Sequence, residues 1–173
     1  MSVGLYVAFV LLTGVERGVE VVVSRRNAAS AFARGGVQYG QRHFPWMVAL
    51  HTGLLIACIA EVVLLGRPFI PLLGWLMLAI AIACQAGRYW IISTLGQQWN
   101  TRVIVVPGAQ RVVGRGPYRW FTHPNYVIVA IEGIALPLVH TAWITALVFT
   151  ALNAVLLLGF RIPTENKALR ELA

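Results

Sequence analysis

Two short stretches carry the residues most able to do chemistry. The first is His123-Pro124-Asn125-Tyr126, where a long loop enters an apolar run. Pro124 suits the first turn of a helix, and the free amides of such a turn can hold a ligand carboxylate. The second is the pair Arg161 and Glu165, four residues apart, so on a continuous helix both point the same way. They leave the last apolar run at the face from which His123 enters. A guanidinium, a carboxylate, an imidazole and a phenol thus converge at one rim. Such a set can bind a charged ligand and stabilise negative charge developing on an oxygen. The same residue types also form the Tyr, Trp, Arg and His belt of a membrane edge, and both readings stay open at this level.

Residues 100–126 are too long and too patterned for a passive connector. Alternating Val, Ile and aromatic residues argue against disorder. Gly108, Gly114 and Gly116 allow close backbone approach.

The elements that position these residues follow from composition. The chain of 173 residues is 58% hydrophobic and 12% charged, with mean hydropathy +0.74. Soluble domains carry about 25% charge, and a soluble fold could not cover this much apolar surface. Five apolar stretches, 3–23, 46–65, 70–93, 126–138 and 143–160, each approach the length that spans roughly 30 Å of hydrocarbon. The fourth is short and would tilt or sit deep. The fold expected is therefore all-α and polytopic, a single domain over 1–173, with three plain helices over 1–94. A Pro/Gly-rich loop, a helical hairpin and a polar tail fill 95–173.

The net charge is +8, and the acidic residues include no Asp. Arg25, Arg26, Arg34 and Arg42 fall between the first two runs, and Arg102, Arg111, Arg115 and Arg119 between the third and fourth. Arg161, Lys167 and Arg170 follow the fifth, while the opposite side carries Arg67 and His140. Short basic loops stay in the cytosol, which puts the N-terminus outside and the C-terminus inside. The basic residues read as topology and lipid-headgroup contacts rather than nucleic-acid binding. The first run lacks a basic leader and a small-residue cleavage site, so it reads as a retained helix. Cys58 and Cys84 sit inside apolar runs and read as small core residues, with no metal-site spacing.

Ionisable groups inside spans are candidates for function. Glu16 and Glu20 share a helix face and, with Arg17, either lock helix one to a neighbour or orient an Arg or a substrate. His51 reads as an interhelical hydrogen-bonder, and Glu61 as snorkelling or hydrogen-bonded. Gln85, Arg88 and Asn153 would bond across helices. Glu132 would either line a substrate cavity or pair with Arg88.

The run Gly116-Pro117-Tyr118-Arg119-Trp120-Phe121-Thr122-His123-Pro124-Asn125-Tyr126, followed by a helical hairpin and Arg161…Glu165, resembles the signature of the isoprenylcysteine carboxyl methyltransferase family. The resemblance covers roughly 95–172. The first half, with Glu16-Arg17, Ser24-Arg25-Arg26-Asn27 and His43-Phe44-Pro45, looks like a bacterial subgroup associated with type III polyketide synthases, which implies the bacterial inner membrane. The resemblance implies S-adenosylmethionine as cofactor. Gln110, Arg111, Val112 and Val113 would wall it, Tyr118 would meet its nucleoside, and His123, Pro124, Asn125 and Tyr126 would form its main binding corner. Glu165 would hold it from the tail, and Arg161 would face the acceptor as the catalytic residue, with Glu132 as a further substrate-side candidate. The chain departs from the family in Asn166, where a second Glu is common, and in Pro163, which can kink the helix.

The activity implied is O-methylation of a lipophilic acceptor at the cytosolic face. A carboxylate acceptor is already ionised at pH 7. A phenol or enol, such as an alkylresorcinol or alkylpyrone, needs its anion stabilised, a role open to Arg161. Two other readings of the same sequence are a sterol-reductase-like enzyme using NADPH and a non-enzymatic membrane scaffold or transporter subunit.

Overall fold

The computed structural model describes residues 1–109 and 114–171, the last by its backbone alone. Helix α1 (Val3–Ala33) is followed by a three-residue strand β1 (Val37–Tyr39) and by α2 (Phe44–Leu64) and α3 (Pro71–Leu95). Strand β2 (Val103–Val105) precedes α4 (Pro124–Leu138), α5 (Trp143–Leu156), a π-helical turn over Leu157–Arg161 and α6 (Ile162–Glu171).

Among the described residues, three helical stretches are long and apolar enough to cross a membrane: Gln41–Leu64, Pro71–Gln98 and Trp143–Arg170. α4 has 15 residues, about 22 Å at 1.5 Å per residue, and is as short as its apolar run suggested. α1 is longer than the apolar run 3–23. It continues through Arg25 and Arg26, read above as loop residues, because Ala28, Ala29, Ala31 and Ala33 sustain a helix beyond the apolar segment.

The core joins four helices. Tyr6 and Val10 of α1 meet Leu54, Cys58 and Val62 of α2, Val129 and Leu136 of α4, and Phe149 of α5. The Tyr6 hydroxyl donates to the carbonyl of Leu136 at 3.2 Å. Gly133 lets α4 approach α5, since a Cβ there would lie 2.1 Å from the Phe149 ring. Large apolar side chains such as Leu11, Ile56, Leu72, Leu147 and Leu158 face outward. Water would penalise that surface, whereas lipid is its natural solvent.

At one end, Glu61 accepts hydrogen bonds from Ile144 N, Thr145 N and Thr145 Oγ1 and pairs with Arg67 at 2.8 Å. It therefore caps the start of α5 from the neighbouring helix. His51 differs from expectation: Nδ1 bonds Met47 O of its own helix, and the ring meets Phe149 edge-on. An i−4 carbonyl lies within reach of any helical side chain of this length, so no second helix is needed.

The charges within the bundle form one network. Arg88 bonds both carboxylate oxygens of Glu20, at 2.6 and 2.8 Å. Arg17 bonds Glu20, Gln85 and Glu132 at 2.6, 2.6 and 2.8 Å, and Gln85 also donates to Glu132. The pair expected between Arg88 and Glu132 is thus replaced by Arg88–Glu20 and Arg17–Glu132. Glu20 offers its two oxygens to the flat Arg88 fork, which suits bidentate pairing.

β1 and β2 pair antiparallel, with Val37 opposite Val105 and Tyr39 opposite Val103. The chain before β2 is fastened to α1. Ser24 Oγ accepts from Thr101 N and donates to Asn100 Oδ1, and Asn27 Nδ2 donates to Trp99 O at 2.7 Å. α6 packs on both strands. The sheet therefore joins the connection after α1 to the connection after α3 and seats the tail.

Candidate functional site

The site assembles where α4 begins and α5 gives way to α6. His123 stands just before Pro124, and no side chain caps the N-terminus of α4. The His123 ring stacks on Tyr126 one turn on, with centroids 5.4 Å apart. Opposite, the helix does not stop at Pro163. The amide of Ile162 reaches back five residues to the carbonyl of Leu157, the π-turn absorbs one extra residue, and α6 continues. Pro163 follows the π-turn closely, so the wider turn falls where a residue without an N–H interrupts the helical ladder.

This path places Glu165 against the corner of α4. The Tyr126 hydroxyl donates to Glu165 Oε2, and His123 Nδ1 lies 3.5 Å from Glu165 Oε1. His123 Nε2 bonds Asn166 Oδ1 at 3.2 Å. An amide oxygen only accepts, so Nε2 carries a proton. The Glu165 carboxylate holds the His123 imidazole above its ordinary pKa, against the opposing effect of burial. Tyr118 is pushed up to about 12 by burial and then by the charge of Glu165, so it stays a hydrogen-bond donor at neutral pH.

Arg161 is buried at the end of the π-turn, 5% exposed, and its Nη2 donates to Thr101 O at 2.8 Å. Three buried side-chain atoms among the described residues have no hydrogen-bond partner: His43 Nε2, His123 Nδ1 and Arg161 Nε. All three belong to this end of the molecule. Between α4 and α5 lies a cavity of about 360 Å³, bounded by Phe121, His123, Tyr126, Asn153, Leu157 and Ile162. Asn153, expected to bond across helices, instead faces this cavity from a buried position.

The structure thus brings together Tyr118, His123, Pro124, Tyr126, Arg161 and Glu165. Asn125 belongs to the same corner but turns toward α3, with its Oδ1 3.4 Å from Arg88 Nη1. Glu132 lies two turns further along α4, engaged by Arg17 and Gln85, and is not among the cavity's lining residues. Gln110, Arg111, Val112 and Val113 lie outside the described residues. Asn166, the departure from the family pattern, serves as the partner of His123. Sequence reasoning missed His43 and Asn153 as members of this region. A polar residue inside an apolar run was the available signal for Asn153, and the His43-Phe44-Pro45 turn was the signal for His43.

The sequence has relatives over nearly its whole length. It is 39% identical over 158 residues to the uncharacterized protein YpbQ of Bacillus subtilis strain 168, covering 91% of this chain and 92% of that one. It is 30% identical over 152 residues to an uncharacterized protein of Haemophilus influenzae, covering 87% and 86%. No solved structure matches the chain. Residues 75–171, which contain the α4 corner, the π-turn and the Glu165 tail, match the isoprenylcysteine carboxyl methyltransferase (ICMT) family. Taken with its long apolar helices, that match makes the chain an integral membrane methyltransferase that belongs to the isoprenylcysteine carboxyl methyltransferase family.

Proposed function

We propose that the protein transfers a methyl group from S-adenosylmethionine to an oxygen of a lipophilic acceptor at the cytosolic membrane face. The observation that carries this reading is the Tyr126–Glu165–His123 cluster beside the buried Arg161, with Arg161 Nε left unpartnered. A buried donor without a partner costs about 1–3 kcal/mol, and a ligand site is where such a cost is recovered. The donor set suits the cofactor. Glu165 can take an ammonium or a ribose hydroxyl, the uncapped start of α4 a carboxylate, and Tyr118 the nucleoside.

When bound, the cofactor supplies a methyl group on a sulfonium, activated for displacement. The protein's part is largely positioning. Tyr126 and His123 hold the Glu165 carboxylate in place, and the apolar wall of α4 and α5 excludes water. Arg161 faces the acceptor and stabilises charge on its oxygen. The five apolar runs and the basic stretches between them support five spans, with the N-terminus outside and the C-terminus in the cytosol of a bacterial inner membrane. On this reading the acceptor is an alkylresorcinol- or alkylpyrone-type hydroxyl, in keeping with a polyketide-synthase-associated subgroup, or a prenylcysteine-like carboxylate.

Calorimetric titration of the detergent-purified protein with S-adenosylhomocysteine, with NADPH as control, tests the reading. Binding of the first alone, lost in Glu165→Ala, is the expected result. Binding of NADPH alone would favour a reductase. Binding of neither by a folded sample would favour a scaffold or transporter subunit.

A further inference from the structure

The seam between α4 and α5 is shut at one level and open at the next. At Gly133 the two helices touch, since a Cβ there would lie 2.1 Å from the Phe149 ring. One turn nearer His123 the lining residues are Ala130 on α4 and Asn153 and Ala154 on α5, and there the seam widens into the cavity of about 360 Å³. The cavity is therefore a slot closed at its deep end, with the His123–Tyr126 corner at its mouth. Its volume suits a small-molecule ligand. Its flank meets lipid, because Phe121 and Leu158 line it and are also exposed on the outer surface.

Beyond the mouth the walls are apolar until the closed end, where Thr150 and Asn153 share one face of α5. Asn153 is 3% exposed, and its side-chain amide makes no hydrogen bond among the described residues. An amide can both donate and accept, and within a span it ordinarily bonds a neighbouring helix. Gln85 does so here, donating to Glu132 and accepting from Arg17. An unmet amide at the end of a slot that opens on lipid marks a place where a bound molecule supplies the partner. Asn153 belongs neither to the Gly116–Tyr126 signature nor to the Arg161…Glu165 pair.

We propose that Asn153 selects the acceptor: the acceptor lies in the slot with its reacting oxygen toward the His123–Tyr126 end, and a second polar group of the same molecule, a hydroxyl or a carbonyl, hydrogen-bonds the Asn153 amide. The proposal rests on the methyltransferase reading above. Asn153 precedes Arg161 by eight positions, about 12 Å along a helix at 1.5 Å per residue. The second group therefore sits deeper in the bilayer than the reacting oxygen, within about 12 Å of it. Asn153 touches no reacting atom; it fixes how far the acceptor enters. The acceptor is thus an amphiphile with two polar functions, one for the methyl group and one for recognition. A lipid with a single polar function would leave the amide unmet.

The test uses the full-length protein and Asn153→Leu in detergent. S-adenosylhomocysteine binding is measured first. Failure of the unaltered protein to bind it defeats the methyltransferase reading itself, and with it the proposal. With binding present, kcat/KM is compared within two pairs of acceptors that differ in the second polar group. One pair is a 5-alkylresorcinol and the matching 3-alkylphenol; the other is N-acetyl-S-farnesylcysteine and S-farnesylthioacetic acid. The unaltered protein should prefer the two-function member of the pair it methylates by roughly 10- to 100-fold. Asn153→Leu should erase that preference by lowering kcat/KM on that member alone. No preference in the unaltered protein, equal loss on both members, or methylation of neither pair overturns the proposal while leaving the cofactor reading intact. A readout independent of turnover is the melting temperature of ligand-free protein. An amide without a partner adds nothing to the fold, so Asn153→Leu should melt at the same temperature or higher; a marked fall makes Asn153 structural and overturns the proposal. Ala130→Leu, which narrows the slot, should raise KM for the acceptor at unchanged S-adenosylhomocysteine affinity; an unchanged KM places the acceptor elsewhere and overturns it too.

Discussion

Arg88 of α3 grips Glu20 of α1 with two hydrogen bonds, Nε to Oε1 at 2.6 Å and Nη2 to Oε2 at 2.8 Å, and both side chains are buried. Breaking one side of such a pair leaves an uncompensated charge, at a cost of about 3–5 kcal/mol. Arg88→Leu should therefore lower thermal stability in detergent sharply. The double variant Arg88→Leu/Glu20→Leu, which leaves Arg17 paired with Glu132, should recover most of the loss. A double-mutant cycle read by thermal unfolding checks this.

Tyr126 tests the tail. Its hydroxyl donates to a carboxylate, and a hydrogen bond to a charged group contributes about 1.5–3 kcal/mol. Tyr126→Phe should weaken S-adenosylhomocysteine binding by about 10- to 100-fold at nearly unchanged thermal stability. Calorimetry beside a melting curve separates the two effects.

Stability and site separate at Glu61. This carboxylate caps α5 at the end opposite Arg161. Glu61→Ala removes the cap and leaves the Thr145 amide and hydroxyl unpaired, a loss of about 1–3 kcal/mol. The melting temperature should fall, while S-adenosylhomocysteine affinity stays as it was. An equal fall in affinity would tie the two ends of α5 together.

The pH dependence of the tail follows from His123. Its pKa in the folded protein is raised by Glu165, so its protonated form strengthens the docking of α6. That contribution is fully present below the unfolded value of about 6.5 and is lost as pH rises through the raised folded value. In ligand-free protein, protease cleavage within α6 should quicken over that window. His123→Gln should flatten the dependence.

Much of this architecture was legible in the residues. The apolar runs gave the helices because lipid-facing surface leaves an unmistakable compositional trace. Arg161, Glu165 and the His123 corner were legible because spacing and membrane side bring them together whatever the detail. The pairing of charges was not. Arg17, Glu20, Arg88 and Glu132 offer two neutral pairings, and only the relative rotation of three helices selects one. Nor could the β1–β2 sheet be foreseen, since each strand has three residues and the partners lie more than sixty positions apart. His43 was hidden for the same reason: its proximity to Arg161 depends on that sheet and on the tail that rests on it.

The π-turn at Leu157–Arg161 sets the direction of the tail. Such a turn fits one residue more than an α-helical turn holds, and each α-helical residue turns the helix by about 100°. Winding the same residues as plain α-helix would leave the span intact and rotate Glu165 away from Tyr126 by roughly a quarter of a revolution. The meeting of Glu165 with the α4 corner is therefore a matter of winding in five residues, independent of the scaffold that the outward-facing apolar side chains hold in place.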